Sequence, residues 1–296
     1  MARFGRVLTA MVTPFDDDGE LDVDAAVALA RWLVEQGNEG LVVAGTTGES
    51  PTLTIDEKLS LFEAVAGAVT VPVIAGTTGS NTRQDMGLTA EASELGIAGI
   101  LAVCPYYSRP SQAGLDAHFR AIASATDLPV LLYDIPIRTG RKIESGTLIR
   151  LGAEVANIVG VKDASANPGE TAIVNFDTPA DFEIYSGDDS MTLPLLAIGG
   201  VGLIGVATHW SAPDHVELLD AWGRNDVSAT HKINTRLLES YDFETGEFAP
   251  NPVPSKAMLR TLGHSVGHCR LPMGPTPPGL EDAARGVYDR LVAARG

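Results

Sequence analysis

Gly40-Leu41-Val42-Val43-Ala44-Gly45 is an unbroken apolar run closed at both ends by glycine. A strand with one face in water alternates apolar and polar residues. This run does not alternate, so it is expected to be covered on both faces, as the strands of parallel sheets are. Gly99-Ile100-Leu101-Ala102-Val103 repeats the pattern. Outward from these two, similar runs recur every ~20 to 35 residues, each followed by a longer segment with helical spacing of its apolar positions. The strands predicted in this way are Val7 to Thr13, Gly40 to Gly45, Val71 to Gly76, Gly99 to Pro105, Val130 to Ile135, Ile158 to Asp163, Glu183 to Gly187 and Gly202 to Ala207. Helices are predicted from Asp24 to Glu35 (Trp32 on its apolar face), Ile55 to Ala68, Thr82 to Leu95, Leu115 to Ala125 and Pro213 to Trp222, with fainter signals from Glu144 to Leu151 and Pro168 to Phe176. A doubly wound sheet more often uses about five to seven strands, so eight such units imply a TIM (β/α)8 barrel. Past Arg224 the pattern contains helices only, around Val227 to Tyr241, Ser255 to Leu262 and Gly279 to Ala294, separated by the proline-rich Ala249 to Pro254 and Pro272 to Pro278. The expected division is a catalytic barrel over 1–224 and a small helical region over 225–296.

Composition narrows the class of function. Hydrophobic residues are 45% and charged residues 20% of the 296, which is ordinary for a globular chain. A net charge of −17, spread along the chain, disfavours nucleic acid and anionic membrane surfaces as partners. Cys104 and Cys269 stand far apart and outside any C-x-x-C pattern, so neither a disulfide framework nor a thiolate zinc site is indicated, and a reducing cytoplasm is expected. The opening Met1 to Val12 runs into Thr13-Pro14-Phe15 without a long apolar core and is expected to be a strand, not a targeting segment. The apolar run from Leu193 to Thr208 contains Pro194 and several glycines and falls short of the ~18 residues of a membrane span.

In barrels of this kind, reacting groups sit at the C-terminal ends of the strands and in the loops that follow. Strand six ends in Gly160-Val161-Lys162-Asp163, which places a lone ammonium at the end of an apolar strand. Desolvation lowers the pKa of such a group, and its free amine can attack a carbonyl to give an electron-withdrawing iminium. A strand-end lysine that snorkels to water or pairs with a carboxylate fits the same residues. Strand two ends in Gly45-Thr46-Thr47-Gly48-Glu49-Ser50, where two glycines permit a tight turn and the threonines supply donors for a carboxylate. It lacks the Lys-Ser/Thr of a nucleotide loop, and a plain capped turn is the alternative. Gly200-x-Gly202-x-x-Gly205 leads into a strand instead of leaving one, which argues against a dinucleotide site. Tyr106, Tyr107 and Tyr133 stand after strands four and five, where phenols can relay protons to an imine-forming lysine, although each alone reads as packing. Arg138 offers a fork suited to a carboxylate, with a surface ion pair as its alternative. Asp188 and Asp189 read as helix capping. His264, His268 and Cys269 lie away from every predicted strand end, so zinc is not expected there.

Taken together, Gly45-Thr46-Thr47-Gly48-Glu49, Tyr106-Tyr107, Tyr133-x-x-Pro136-x-Arg138-Thr139-Gly140, Gly160-Val161-Lys162-Asp163-Ala164, Ser186-Gly187-Asp188-Asp189 and Asn251-Pro252-x-Pro254-x-Lys256 resemble the dihydrodipicolinate synthase family, collinearly and over nearly the whole chain. The resemblance implies condensation of pyruvate with aspartate 4-semialdehyde to 4-hydroxy-tetrahydrodipicolinate, on the diaminopimelate and lysine route, with no cofactor or metal. It implies Lys162 as the Schiff-base lysine, Thr46 and Thr47 as holders of the pyruvate carboxylate, and Thr46, Tyr107 and Tyr133 as the proton relay. Arg138 would receive the carboxylate of the semialdehyde, and backbone at Gly187 and Ile204 would line the pyruvate side. A homotetramer built as a dimer of dimers is implied, with Tyr107 reaching the neighbouring subunit's site. Asp134, Ile137 and Asp163 depart from the commonest residues of the family without removing a reacting group.

Some members also bind lysine as a feedback inhibitor at positions matching Ser50, Pro51, Asn81, Asp85 and Tyr106. Here Ile55 and Lys58 stand where that site has two histidines, and a second ammonium beside the inhibitor's own opposes binding, so weak or absent inhibition is expected. Two rival readings use the same residues. A sister pyruvate aldolase, such as N-acetylneuraminate lyase or a 2-keto-3-deoxy-sugar-acid aldolase, shares Lys162 and the Thr-Thr loop, but Arg138 suits a short acid better than a polyhydroxylated one. A catalytically silent barrel would be expected to have lost one of these groups.

Overall fold

The computed structural model describes residues 2–246 and 249–295, so Met1, Glu247, Phe248 and Gly296 lie outside it. Eight parallel strands close into a barrel in sequence order: β1 Val7–Ala10, β2 Gly40–Val43, β3 Val73–Gly76, β4 Gly99–Val103, β5 Val130–Asp134, β6 Ile158–Asp163, β7 Glu183–Ser186 and β8 Gly202–Gly205. The TIM barrel read from the apolar runs is therefore correct, but most strands are shorter than expected. The predicted strands ran on through apolar residues such as Met11, Val12, Ala44 and Val206, which are past the ladder and already belong to the loops. The backbone turns sharply there, with Ala44 at φ +52°.

The helices are α1 Val23–Glu35, α2 Ile55–Ala68, α3 Thr82–Ser93, α4 Gln112–Ser124, α5 Pro136–Thr139, α6 Ser145–Glu154, α7 Pro168–Asp177, α8 Thr192–Leu196, α9 Thr208–Gly223, α10 Val227–Thr245, α11 Val253–Thr261 and α12 Leu280–Ala293. Capping explains several of these starts. Asp22 accepts from Ala25 N at 2.9 Å, and Thr54 with Glu57 forms a reciprocal capping box. The short α5 and α8 were not predicted, because a single turn carries no periodicity. Helix α9 begins five residues before the expected Pro213, with a non-helical Ser211 marking the join. None of the helices among the described residues is long and apolar enough to cross a membrane.

Two layers of packing hold the barrel. Leu8, Val42, Ile74, Leu101, Leu131, Tyr185 and Ile204 fill its interior, while Leu29, Leu33, Phe62, Val65, Phe119 and Leu151 bury the inner faces of the helices against the outer faces of the strands. Strands approach so closely at Gly202 that a Cβ there would stand 2.1 Å from the Arg6 carbonyl oxygen, so glycine is required at that position. A separate apolar cluster, with Trp210, Leu218, Leu237, Met258 and Leu291, joins α9 to α10, α11 and α12. This C-terminal region also reaches the loop after β2 and the helix α2 that follows it. Lys256 of α11 pairs with Glu49 at 2.8 Å, and Arg270 pairs with Glu57 at 2.6 Å.

Candidate active site

The strand ends converge on a cavity of about 450 Å³ whose wall includes Thr46, Thr47, Tyr133, Arg138, Lys162 and Gly187. Six of the eight residues singled out from the sequence thus meet in one place. Lys162 is the last residue but one of β6, and its side chain points into this space while remaining only 3% exposed. Its stem lies over Gly187, where a Cβ would come within 2.9 Å of Lys162 Cγ. A larger residue at 187 would displace the lysine, which is the packing reason for glycine after β7. The ammonium sits 4.3 Å from the centre of the Tyr133 ring. Among the described residues no carboxylate lies within ion-pair distance of it.

That isolation sets its protonation. Burial, helped by Arg138, lowers the Lys162 pKa to about 8 against the opposing pull of Asp189 and Glu244. At pH 7 roughly a tenth of such a lysine is free amine, against roughly one part in three thousand for one at the ordinary lysine value. Tyr133, at the end of β5, moves the other way. Burial raises its phenol to about 12, with a hydrogen bond from Thr46 opposing, so it is protonated at neutral pH and available as a donor.

The Thr-Thr loop is braced from two sides. Its own backbone closes with Glu49 N donating to Thr46 O at 3.1 Å and Ser50 N to Gly45 O at 3.2 Å. From the segment that leads into α11, Asn251 Nδ2 donates to Thr47 Oγ1 at 2.9 Å, and Ser255 Oγ of α11 donates to Asn251 Oδ1 at 3.0 Å. Arg138 Nη2 also donates to the Asn251 carbonyl at 3.3 Å. Asn251 therefore ties the hydroxyl loop to the arginine across the cavity.

Two expected residues lie elsewhere. Tyr107 is 95% exposed with φ +69° and is not on the cavity wall of its own chain. Ile204 is fully buried inside the barrel, and Val206 forms the wall at the end of β8 instead. Sequence reasoning also missed part of the wall: Asp189, Tyr241, Glu244 and Asn251 all line it. Asp188 does cap the following turn, accepting from Ser190 N at 2.9 Å, but Asp189 accepts from Val206 N at 2.7 Å and faces the cavity. Glu244 lies beyond the predicted end of its helix, and no motif marked it.

The unusual residues have structural partners. Asp134 pairs with Lys142 at 3.0 Å and accepts from Ile143 N, and Asp163 accepts from Thr171 Oγ1 at 2.5 Å and Ser165 N at 2.7 Å. Of the histidines weighed for zinc, His264 packs on Trp32 with ring centres 4.1 Å apart, and His268 hydrogen-bonds Thr276. Beside the main cavity, Ser50, Pro51, Ile55, Lys58, Asn81, Asp85 and Tyr106 line a second cleft. Burial lowers the pKa of Lys58 there, with Asp85 opposing.

Comparison with known proteins places this geometry among relatives. Residues 3–285 match the model of the dihydrodipicolinate synthetase family. The 4-hydroxy-tetrahydrodipicolinate synthase of Moorella thermoacetica is 48% identical over 294 residues, covering 99% of this chain and 97% of that protein. The enzyme of the same name from Synechococcus sp. is 46% identical over 292 residues, or 97% and 94% of the two chains. Among solved structures, dihydrodipicolinate synthase from Bacillus anthracis superposes with a TM-score of 0.94 at 40% identity, covering 98% of this chain and 99% of that one. The Cyanidioschyzon merolae enzyme with lysine bound gives 0.95 at 40% identity, covering 99% of each chain.

Proposed function

The chain belongs to the dihydrodipicolinate synthetase family and has the activity of a 4-hydroxy-tetrahydrodipicolinate synthase, a lyase of lysine and diaminopimelate biosynthesis; we propose that Lys162 carries the reaction as a Schiff base with pyruvate. The observation that carries this reading is a buried, unpaired lysine whose pKa is lowered to about 8 in a cavity lined by hydroxyls. The free amine attacks the pyruvate carbonyl carbon, and loss of water leaves an iminium. The iminium draws electrons from the bond to the neighbouring methyl carbon, which gives up a proton and attacks the aldehyde carbon of aspartate 4-semialdehyde. Tyr133, protonated and next to both Thr46 and Lys162, delivers and recovers the protons of these steps. Thr46 and Thr47 hold the pyruvate carboxylate, with backbone at Gly187 on the same side. Arg138 takes the carboxylate of the semialdehyde.

Tyr107 completes the relay from a neighbouring subunit in a homotetramer arranged as a dimer of dimers. Its near-complete exposure in its own chain supports that role. Residues 1–224 act as the catalytic barrel, and 225–296 brace it through Asn251 and Lys256. Lysine inhibits weakly or not at all, because Lys58 lines the second cleft and its ammonium opposes another one there. An inhibition curve with half-effect at sub-millimolar lysine would contradict that point. Turnover with aspartate 4-semialdehyde, run beside borohydride trapping with pyruvate, tests the main reading. An adduct on Lys162 together with turnover is expected, whereas an adduct without turnover would indicate a sister aldolase.

A further inference from the structure

The steps above leave unused a group of buried titratable side chains on the wall of the Lys162 cavity. Asp189, in the turn after β7, and Glu244, near the end of α10, are 1% and 2% exposed and line the cavity with Lys162. Asp189 Oδ1 and Glu244 Oε2 are both buried with no donor among the described residues, where α10 packs on the turn after β7. Two carboxylates have only acceptors, so these oxygens can satisfy one another only if one of them carries a proton.

The surroundings leave no other source for that proton. Asp189 Oδ2 accepts from Val206 N, and no other N–H or O–H among the described residues reaches Asp189 Oδ1 or Glu244 Oε2. His215 of α9 brings Nε2 to 3.8 Å from Asp189 Oδ1. Its Nδ1, however, lies 3.0 Å from the Ser211 carbonyl, which fixes the ring proton on Nδ1. Burial keeps the ring neutral, so Nε2 is an acceptor and takes the Tyr241 hydroxyl at 3.3 Å. Asp214, on the same helix, is taken by Arg236 at 2.9 Å and Arg295 at 2.7 Å. Asp188 is committed to Ser190.

We propose that Asp189 and Glu244 form a proton-sharing carboxyl pair whose single negative charge balances the iminium on Lys162, which makes them positioning residues for the reaction. The inference rests on Lys162 forming the imine. Charge balance is the reason for sharing one proton. Two ionised carboxylates would hold Lys162 as an ammonium that cannot attack, and two neutral ones would leave the protonated imine, which needs its charge to withdraw electrons, uncompensated in a buried site. Asp189 keeps a backbone donor, Val206 N at Oδ2, which favours the charge there, and Glu244, whose pKa burial and Asp189 raise well above the ordinary carboxylate range, carries the proton. Both attract the cation at Lys162, while Arg138 is the positive group that opposes them.

The test measures the pyruvate concentration that gives half-maximal borohydride trapping on Lys162 at pH 7. Glu244→Gln keeps one charge and one donor, and is expected to raise this concentration by about threefold at most. Asp189→Asn/Glu244→Gln has nearly the same shape but no charge, and is expected to raise it by about tenfold or more, the factor of one lost pKa unit of charge stabilisation. Equal values for the double and single variants would overturn the charge-balancing role. Infrared spectroscopy of the unmodified enzyme and the single variant supplies a second reading that survives misfolding of the double. A protonated-carboxyl stretch at neutral pH that disappears in Glu244→Gln is expected, and its absence from the unmodified enzyme would overturn the shared proton. Failure of the unmodified enzyme to form any Lys162 adduct overturns the Schiff-base reading and this inference with it, and is recognised before a variant is made.

Discussion

The end of β6 and the start of α11 each bury a lysine, and the two are treated in opposite ways. Lys256 is 1% exposed, with Glu49 at 2.8 Å, the His268 carbonyl at 3.0 Å and the Phe15 ring at 4.1 Å. Lys162 is 3% exposed, stands over the Tyr133 ring and has no carboxylate at ion-pair distance among the described residues. Burial lowers the pKa of both. What separates them is the partner. A contacting carboxylate and a carbonyl acceptor hold Lys256 as a strut between α11 and the Thr-Thr loop, whereas Lys162 keeps its nitrogen free to react. Burial alone therefore does not mark a nucleophile; burial without a paired charge, in a cavity, does.

Substitutions separate the two lysines further. Lys162→Ala is expected to remove pyruvate trapping and to lower turnover by at least about a thousandfold while the protein stays folded, because the reacting atom itself is gone. Retention of trapping would mean that another amine reacts. Lys256→Met should act through the fold instead. Leaving Glu49 as an unpaired buried charge costs about 3 to 5 kcal/mol, read as a lower urea midpoint, while Lys162 in the folded fraction still forms its adduct. A Lys256→Met protein as stable as the parent would show that the strut carries nothing.

Arg138→Ala is expected to raise the KM for the semialdehyde by about a hundredfold and to change pyruvate trapping little, since a charge-assisted carboxylate contact is worth about 1.5 to 3 kcal/mol. Equal effects on both substrates would remove the proposed division of the cavity. The pH dependence follows from the sign of the Lys162 shift. Its free-amine fraction rises as pH climbs through about 8, so trapping at low pyruvate should increase about tenfold from pH 7 to pH 9 and then level. A profile still rising steeply at pH 10 would place the lysine at its ordinary value. Asn251→Ala should give the smallest effect, about a fivefold rise in pyruvate KM, by releasing the Thr47 hydroxyl at a cost of about 1 kcal/mol.

The barrel was legible because strands covered on both faces must be continuously apolar, as Leu41 to Val43 are, and because the intervening helices carry their own caps. Strand ends were less legible. Val206 and Ala44 are as apolar as the ladder residues, and their departure from the sheet depends on loop packing. Lys162, Thr46, Tyr133 and Arg138 stood out as reactive types at strand ends, and the resemblance joined them. Asn251 was visible only as part of the Asn-Pro-x-Pro-x-Lys stretch, and its grip on Thr47 and Arg138 spans more than a hundred residues of sequence. Glu244 gave no sign at all, because what sets its protonation is the fold bringing α10 against the turn after β7.

The most direct test of the contrast between the two lysines is borohydride trapping with pyruvate followed by peptide mass mapping of the whole chain. An adduct on Lys162 and none on Lys256 is the result predicted here. An adduct on Lys256, or on neither, would contradict the claim that the unpaired buried lysine is the nucleophile.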